Sequence, residues 1–165
     1  MKYAALVLSL CLTSCGGGRG AGNQGTSPDP TPTPTPTPVT VTAADLTYCV
    51  SVMNTYRATV GRPPLAQDPK LEQIATRAAQ QDYLAQSPHQ HFIQTGGEGY
   101  SQGENEFGTS LSHYGSAHGA LDFGIGLFWA EGPSGGHYQN IVNFTRAGCG
   151  YYRDGDTIYV AADFR

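Results

Sequence analysis

The chain has 165 residues, of which only 13% are charged, and its formal net charge is −4. This composition lacks the basic field that nucleic-acid binding requires, so no nucleic-acid partner is expected. Residues 1–42 have the composition of a targeting signal followed by a spacer. The remaining residues leave room for one domain of ordinary size.

The N-terminus predicts a lipoprotein signal peptide over residues 1–14. A positive start, Met1-Lys2, precedes an apolar run that is too short to span a bilayer. The run ends in Leu12-Thr13-Ser14-Cys15, which resembles the bacterial lipobox, where a cysteine is diacylated and becomes the new N-terminus. We therefore expect lipid attachment at Cys15 and an extracytoplasmic protein anchored to the bacterial cell envelope, at the outer membrane or the cell surface. Ordinary signal cleavage nearby is the alternative.

Residues 15–42 are predicted to be a linker. The Gly-rich stretch 16–25 has no apolar periodicity and cannot bury enough surface to order itself. In the Thr-Pro repeat 31–38, every second residue lacks an amide donor, which favours an extended polyproline-like rod. The linker is expected to act as a spacer between the membrane and the domain.

The cysteines predict one disulfide. Processing at Cys15 removes Cys11 and leaves Cys49 and Cys149 in the folded part of the chain. An even number of cysteines in an oxidising compartment favours a bond between them. Closing a loop of roughly 100 residues would stabilise the fold by about 4 to 5 kcal/mol in the chain-entropy model. Two buried free thiols are the alternative.

Two helices are predicted at the start of the domain. Thr42 and Asp45 form a variant of the capping box at the start of a helix over 43–60. The apolar positions of this helix recur at helical spacing, at Leu46, Val50 and Met53. Asp68-Pro69 pairs an N-cap with a first-turn proline and predicts a second helix over 69–86.

The rest of the chain predicts strands around one more helix. A short strand is expected at 104–107 and a glycine-weakened helix at 116–129. Segments 147–152 and 157–164 alternate apolar and small residues around Asp154-Gly155, which is typical of a hairpin. Helices first and a hairpin last predict a mixed α+β fold.

Imidazoles and carboxylates are the side chains that could carry chemistry, because they bind transition metals or exchange protons near neutral pH. The candidates are His89, His91, Glu104, Glu106, Glu131 and His137. Their spacing alone specifies no site, since none forms a His-Glu-x-x-His helix motif.

Two other motif matches are interpreted as structural. Residues 132–136 fit the Gly-x-Ser-x-Gly pattern, but a nucleophile elbow needs a strand before it and a helix after it. We expect a helix before this segment and a loop or strand after it, and therefore interpret it as a turn. The glycosylation sequon Asn143-Phe144-Thr145 is interpreted as part of a strand.

Seven segments carry a family resemblance in the order that the family has. They are Met53–Ala58, Gly61–Leu65, Leu71–Ala79, Gly103–Asn105, Phe128–Gly132, Gly136–Asn140 and Gly148–Tyr151. Over nearly all of residues 43–165 the chain resembles the CAP superfamily (cysteine-rich secretory protein, antigen 5, pathogenesis-related class 1), also called the SCP domain. The resemblance implies an α+β domain over 43–165, built as an α-β-α sandwich with a small antiparallel sheet between helices.

The same resemblance implies a cleft with two histidines and two glutamates. Glu104, Glu131 and His137 match the family directly, and the first histidine is His89, with His91 as the alternate. In some members the histidines bind zinc or another divalent ion, so the implied metal ligands are His89 and His137. Glu104 and Glu131 are the implied cleft carboxylates, which can orient the imidazoles or a bound water.

The function expected from this resemblance is a membrane-tethered binding module for a lipid, glycan or protein ligand at the cell surface. The alternative is a metal-assisted hydrolase or protease that uses Glu104 or Glu131 as the general base. A third possibility is a structural envelope protein with a vestigial site. Two nitrogen ligands alone imply modest metal affinity.

Overall fold

The computed structural model describes residues 40–165. The expected signal peptide, Cys15 and most of the expected linker lie outside the described residues. Within residues 40–165, no helix combines the length and the apolar composition needed to cross a bilayer.

Helices lie on both faces of a small sheet. The helices are α1 (Ala43–Thr59), α2 (Pro69–Ala85), α3 (Gln90–Thr95), α4 (Leu111–Tyr114), α5 (Ala117–Ala130) and α6 (Gly136–Asn143), with a 3₁₀ turn at Gly97–Gly99. The strands are β1 (Ala66–Gln67), β2 (Gly103–Ser110), β3 (Arg146–Asp154) and β4 (Thr157–Phe164). The sheet order is β1-β3-β4-β2, in which β4 is antiparallel to both neighbours and the two-residue β1 is parallel to β3. This arrangement confirms the predicted α-β-α fold class.

The first two helices begin where their capping residues predict. Thr42 and Asp45 form both bonds of the capping box of α1. The Asp68 side chain accepts hydrogen bonds from the backbone N–H groups of Lys70 at 2.9 Å and Leu71 at 3.4 Å. These carboxylates satisfy amide donors that a helix N-terminus otherwise leaves unpaired.

Helix α2 packs unusually close to the sheet at two glycines of β3. A Cβ atom on Gly150 would lie 2.0 Å from the backbone nitrogen of Thr76, and one on Gly148 would lie 2.3 Å from that of Glu72. Neither position has room for a side chain. The helix backbone therefore lies directly against β3, with small residues such as Ala78 and Ala161 filling the remaining space.

The opposite face of the sheet carries the main hydrophobic core. Large side chains from β2 and β4 pack there against α1, α5 and α6, and Met53, Ile141, Ile158 and Phe164 are fully buried. A disulfide joins Cys49 of α1 to Cys149 of β3 across this core, which confirms the predicted bond.

The segment after Gly135 corrects two predictions. A loop or strand was expected to follow the turn at 132–136, but α6 begins at Gly136, and Asn143 is the last residue of that helix and not part of a strand. Tyr138, Ile141 and Val142 are buried at a spacing of three and four residues, which is the helical pattern that determines this element. A helix also precedes the turn, so the strand that a nucleophile elbow requires is missing there.

Candidate functional site

A tight turn between α2 and α3 positions the first histidine. The turn follows Pro88, and His89 adopts a left-handed backbone conformation with φ of 61°. Two buried carboxylates hold this turn: Glu106 accepts the His89 backbone N–H at 2.8 Å, and Asp82 accepts that of His91 at 2.7 Å. These bonds stabilise a conformation that costs energy for a residue other than glycine.

Strand β2 supplies the carboxylates on the side of this turn. Glu104 and Glu106 are two residues apart, so their side chains leave the same face of the strand, and each side chain is 1% exposed. Asn105, between them, points to the other face, where it donates to the backbone carbonyl of His137 at 3.0 Å. One strand thus contacts both halves of the site.

The inner half of the site is the His89–Glu104 pair. His89 Nδ1 lies 3.0 Å from Glu104 Oε1 and 3.7 Å from Glu106 Oε2. The hydrogen bond to Glu104 raises the pKa of His89 above its ordinary value, and partial burial opposes that rise. Burial, reinforced by the adjacent Glu104 carboxylate, raises the pKa of Glu106 to about 8.

The outer half is the His137–Glu131 pair. Glu131 follows the end of α5, and His137 lies in the first turn of α6. Glu131 accepts hydrogen bonds from both the Nδ1 atom and the backbone N–H of His137. The side-chain bond from His137 holds the pKa of Glu131 below its usual value. The side chains are 31% and 36% exposed, so this pair lies at the solvent side of the site.

The two pairs lie beside each other. The ring centroids of His89 and His137 are 6.2 Å apart, with an angle of 31° between the ring planes. Phe128 packs against the His137 ring at a centroid distance of 4.7 Å. The structure therefore brings His89, Glu104, Glu131 and His137 together in one cluster, which is called the cleft below.

His91 lies elsewhere. Its side chain is 3% exposed, and its Nε2 atom is 3.1 Å from Glu98 Oε1. Glu98 also forms a two-bond ion pair with Arg77, with both N–O distances at 2.6 Å. Of the two histidines left open by the sequence, His89 is the one adjacent to His137.

Three further carboxylates are buried near these residues and have no role predicted from the sequence, those of Asp82, Glu106 and Asp163. Asp163 is fully buried next to the Glu104 position on the neighbouring strand, and burial raises the pKa of Asp163 to about 8. The alternation of Glu104 and Glu106 in β2 was the sequence signal available for Glu106. No sequence signal marks Asp82 or Asp163, because the place of each in the cluster depends on a long-range contact. Asp82 contacts the turn, and Asp163 pairs with the neighbouring strand.

Unpaired polar atoms concentrate in this cluster. Among residues 40–165, the buried side-chain atoms without a hydrogen-bond partner are Asp82 Oδ2, His91 Nδ1, Glu104 Oε2, Glu106 Oε1 and both carboxylate oxygens of Asp163. Buried polar groups ordinarily have a partner, which can be a proton, a water or an ion. Five of these six atoms belong to the carboxylates of Asp82, Glu104, Glu106 and Asp163, so this part of the interior is where such a partner is needed.

The donor set fits a divalent metal. Each of the two histidines directs Nδ1 at a glutamate, so its Nε2 atom points away from that glutamate. Carboxylate–histidine pairs of this kind orient metal ligands in proteins. Separately, His89, Glu104 and Glu106 offer ligand atoms that all lie within 4.8 Å of one another.

A groove between α1 and α5 contains none of the four cleft residues. It has a volume of about 340 Å³ and is lined by Tyr48, Val52, Tyr56 and Asp122 among others. Phe123 and Leu127, on the outer side of α5, are also exposed. This surface could accept an apolar chain.

Comparisons with known proteins give one family and one fold. Residues 50–164 match the profile of the cysteine-rich secretory protein family, CAP. No curated protein matches the sequence significantly.

Among solved structures, Na-ASP-1 is 17% identical with a TM-score of 0.57, over 75% of this chain and 39% of that one. NaASP2 with Zn²⁺ is 17% identical with a TM-score of 0.58, over 74% of this chain and 80% of that one. An outer surface protein from Borrelia burgdorferi is 19% identical with a TM-score of 0.50, over 76% of this chain and 96% of that one. The chain thus spans well under half of Na-ASP-1. At these identities the likeness shows the fold.

Proposed function

Because the chain belongs to the cysteine-rich secretory protein (CAP) family, we propose that it is a membrane-tethered extracytoplasmic binding module that holds a divalent metal ion at His89 and His137. One observation carries the proposal: two imidazoles lie 6.2 Å apart between ring centroids, and each presents Nδ1 to its own glutamate. This arrangement fixes the ring orientation and keeps Nε2 available.

In this proposal the histidines bind the ion, and the glutamates orient the histidines. Glu104, 1% exposed, orients His89, and Glu131, 36% exposed, orients His137. A divalent ion with two imidazole ligands keeps further coordination positions, which can accept an oxygen from a ligand. That oxygen belongs to a lipid headgroup, a glycan or a protein carboxylate. A lipid would also find apolar surface in the groove at Tyr48, Val52 and Tyr56.

Metal binding is tested by titrating metal-stripped protein with Zn²⁺ in a calorimeter. We expect one Zn²⁺ per chain, and affinity at least tenfold weaker in His89→Ala and in His137→Ala, since each removes one of two nitrogen ligands. His113→Ala is the matched control, because His113 is exposed in α4 and its ring contacts Tyr114. Equal affinity in all four proteins would show that the cleft is not the zinc site.

The tether is a separate part of the proposal, supported by the lipobox-like segment ending at Cys15. Cys15→Ala is expected to move the protein from the membrane fraction to the soluble fraction and to abolish incorporation of labelled palmitate. Cys11→Ala is the control, because Cys11 precedes the proposed cleavage point and should change neither readout. Unchanged membrane association of Cys15→Ala would contradict lipid anchoring.

Metal-assisted hydrolysis is the second candidate, and the exposure of Glu131 beside His137 favours it. A carboxylate that reaches solvent next to a metal-bound imidazole can accept a proton from an attacking water. Peptide and ester panels measured with and without Zn²⁺ test this role. Turnover that requires both Zn²⁺ and Glu131 would establish a hydrolase, whereas metal binding without turnover would leave the binding module.

A further inference from the structure

Glu106 lies outside the four cleft residues, on the Nδ1 side of the His89 ring. It contacts the turn through the His89 backbone N–H and accepts the Tyr159 hydroxyl at 3.2 Å. Its Oε2 atom is 3.7 Å from His89 Nδ1, while Glu104 Oε1 is 3.0 Å from the same nitrogen. Three potential ligand atoms therefore lie close together at the Nδ1 edge of the ring.

These separations match the spacing of ligands around one ion. Two atoms that each lie about 2.1 Å from a metal are about 3.0 Å apart at a right angle and about 3.6 Å apart at 120°. The three side chains offer atoms that all lie within 4.8 Å of one another. Two ligands on opposite sides of one ion are about 4.2 Å apart, so the three side chains need to close in slightly around an ion.

The charges of this cluster favour a cation. The Glu104 and Glu106 side chains are each 1% exposed, and Glu104 Oε2 and Glu106 Oε1 are buried without a donor from the protein. The Asp82 carboxyl lies next to that of Glu106 and can share a proton with it. Two carboxylates that are buried side by side repel each other and lose their hydration. A bound cation would offset the repulsion and provide partners for the unpaired oxygens.

We propose that His89 Nδ1, Glu104 and Glu106 form an inner cation position, distinct from the outer position between His89 and His137, that takes oxygen-preferring divalent ions such as Mn²⁺. Two carboxylates and one imidazole suit Mn²⁺ better than two imidazoles do. The ion displaces the Nδ1 proton that His89 donates to Glu104 and the proton that the raised pKa keeps on Glu106, and both protons leave to solvent. Because the outer position uses Nε2 of the same ring, His89 serves one ion at a time.

The inner position is tested in the His137→Ala variant, which removes an outer ligand and leaves the inner three intact. Metal-stripped protein is titrated with Mn²⁺ at pH 7.5, and the loss of the free-ion EPR signal measures binding. We expect one Mn²⁺ per chain, at least tenfold weaker binding when Glu106→Gln is added, and unchanged binding when Glu131→Gln is added instead. The two additions make the same chemical change in the two halves of the cleft.

Circular dichroism and thermal melting of each variant show that the fold is kept. If Glu106→Gln does not fold, Glu106→Asp, which keeps the charge but shortens the side chain, should weaken Mn²⁺ binding in the same assay. Absence of Mn²⁺ binding in His137→Ala, or binding unaffected by Glu106→Gln, would overturn the inner position. The outer position is tested separately by Zn²⁺ affinity. Glu106→Gln alone should leave the Zn²⁺ affinity unchanged, whereas His137→Ala should weaken it.

Discussion

The two faces of the sheet are built from different materials. The α2 face, formed by Gly148, Gly150, Ala161 and the side chains of Glu104, Glu106 and Asp163, combines small residues with buried carboxylates. The α5 face carries Phe107, Ile158, Val160 and Phe164 together with the disulfide. Both faces are buried, but only the α5 face is mainly apolar.

The α5 face contributes most of the stability, whereas the α2 face holds the buried carboxylates of the sheet. Apolar burial on the α5 face contributes about 25 cal/mol per Å² of surface removed from water, whereas a buried carboxylate without a partner opposes folding. The α2 face can keep its carboxylates because the α5 face and the disulfide stabilise the same strands from the other side. The His89–Glu104 pair belongs to the α2 face, and the exposed His137–Glu131 pair belongs to the helices of the α5 face.

The largest expected effect is the loss of the disulfide of the α5 face. The bond links residues separated by 100 positions in the chain. In the Cys49→Ala/Cys149→Ala variant we expect the free energy of unfolding to fall by about 4 kcal/mol, because the unfolded chain regains the entropy of a long open loop. Urea denaturation measures this, and only the parent protein should respond to a reducing agent. A loss below about 1 kcal/mol would mean that the apolar core suffices without the bond.

On the α2 face, Gly150→Ala should be the next most damaging change. The added Cβ would lie 2.0 Å from the Thr76 nitrogen, and the contact is backbone, which cannot move aside as a flexible side chain can. We expect a loss of about 3 kcal/mol in urea denaturation. Gly136→Ala is the matched control, since nothing lies within 4 Å of its Cβ position. Equal stabilities of the two variants would contradict the close packing of α2.

The elements with local signals could be predicted from the sequence. Thr42 with Asp45 and Asp68 with Pro69 mark the starts of α1 and α2, and Asp154-Gly155 marks the hairpin turn between β3 and β4. Helices α3 and α6 have six and eight residues and no side-chain cap at their N-termini. Helices that short depend on tertiary packing, so sequence patterns alone did not identify them.

The cleft was predictable only through the family resemblance. Matching segments indicated Glu104, Glu131 and His137, and favoured His89 for the remaining position with His91 as the alternate. Nothing in the spacing of those two histidines distinguishes them, because the choice depends on the left-handed conformation of His89 in the turn. Glu106 was named as a candidate but not placed, since its role arises from a contact between β2 and that turn.

The buried carboxyl of Asp163 gives the α2 face a pH dependence. Burial raises the pKa of Asp163 from 3.8 to about 8. As the pH rises, the unfolded chain loses this proton at a lower pH than the folded protein does. The contribution of Asp163 to stability therefore falls as the pH rises from about 4 to 8. In Asp163→Asn we expect this slope to flatten, with a gain on the order of 2 kcal/mol at pH 8 and little change at pH 4.

Urea midpoints measured between pH 4 and 9 in the presence of a chelator test this expectation. Asp122→Asn serves as the control because Asp122 is exposed on α5, where its carboxylate accepts the Tyr48 hydroxyl. Parallel profiles for the parent and Asp163→Asn would show that folding does not raise the pKa of Asp163.

The smallest effect is expected at the outer pair, with the opposite dependence on pH. The hydrogen bond from His137 holds the pKa of Glu131 below 4.5, so its stabilising contribution is present above that value and is lost as the pH falls through the lowered pKa. Since the Glu131 side chain is 36% exposed, solvent screens the pair, and Glu131→Gln should cost less than about 0.5 kcal/mol at pH 7. The parent and variant should converge in urea denaturation once the pH has fallen below the lowered pKa. A loss on the order of 2 kcal/mol, as large as the change expected for Asp163→Asn, would mean that the outer pair is shielded from water as strongly as the buried carboxylates of the α2 face. The contrast between the two faces would then no longer hold.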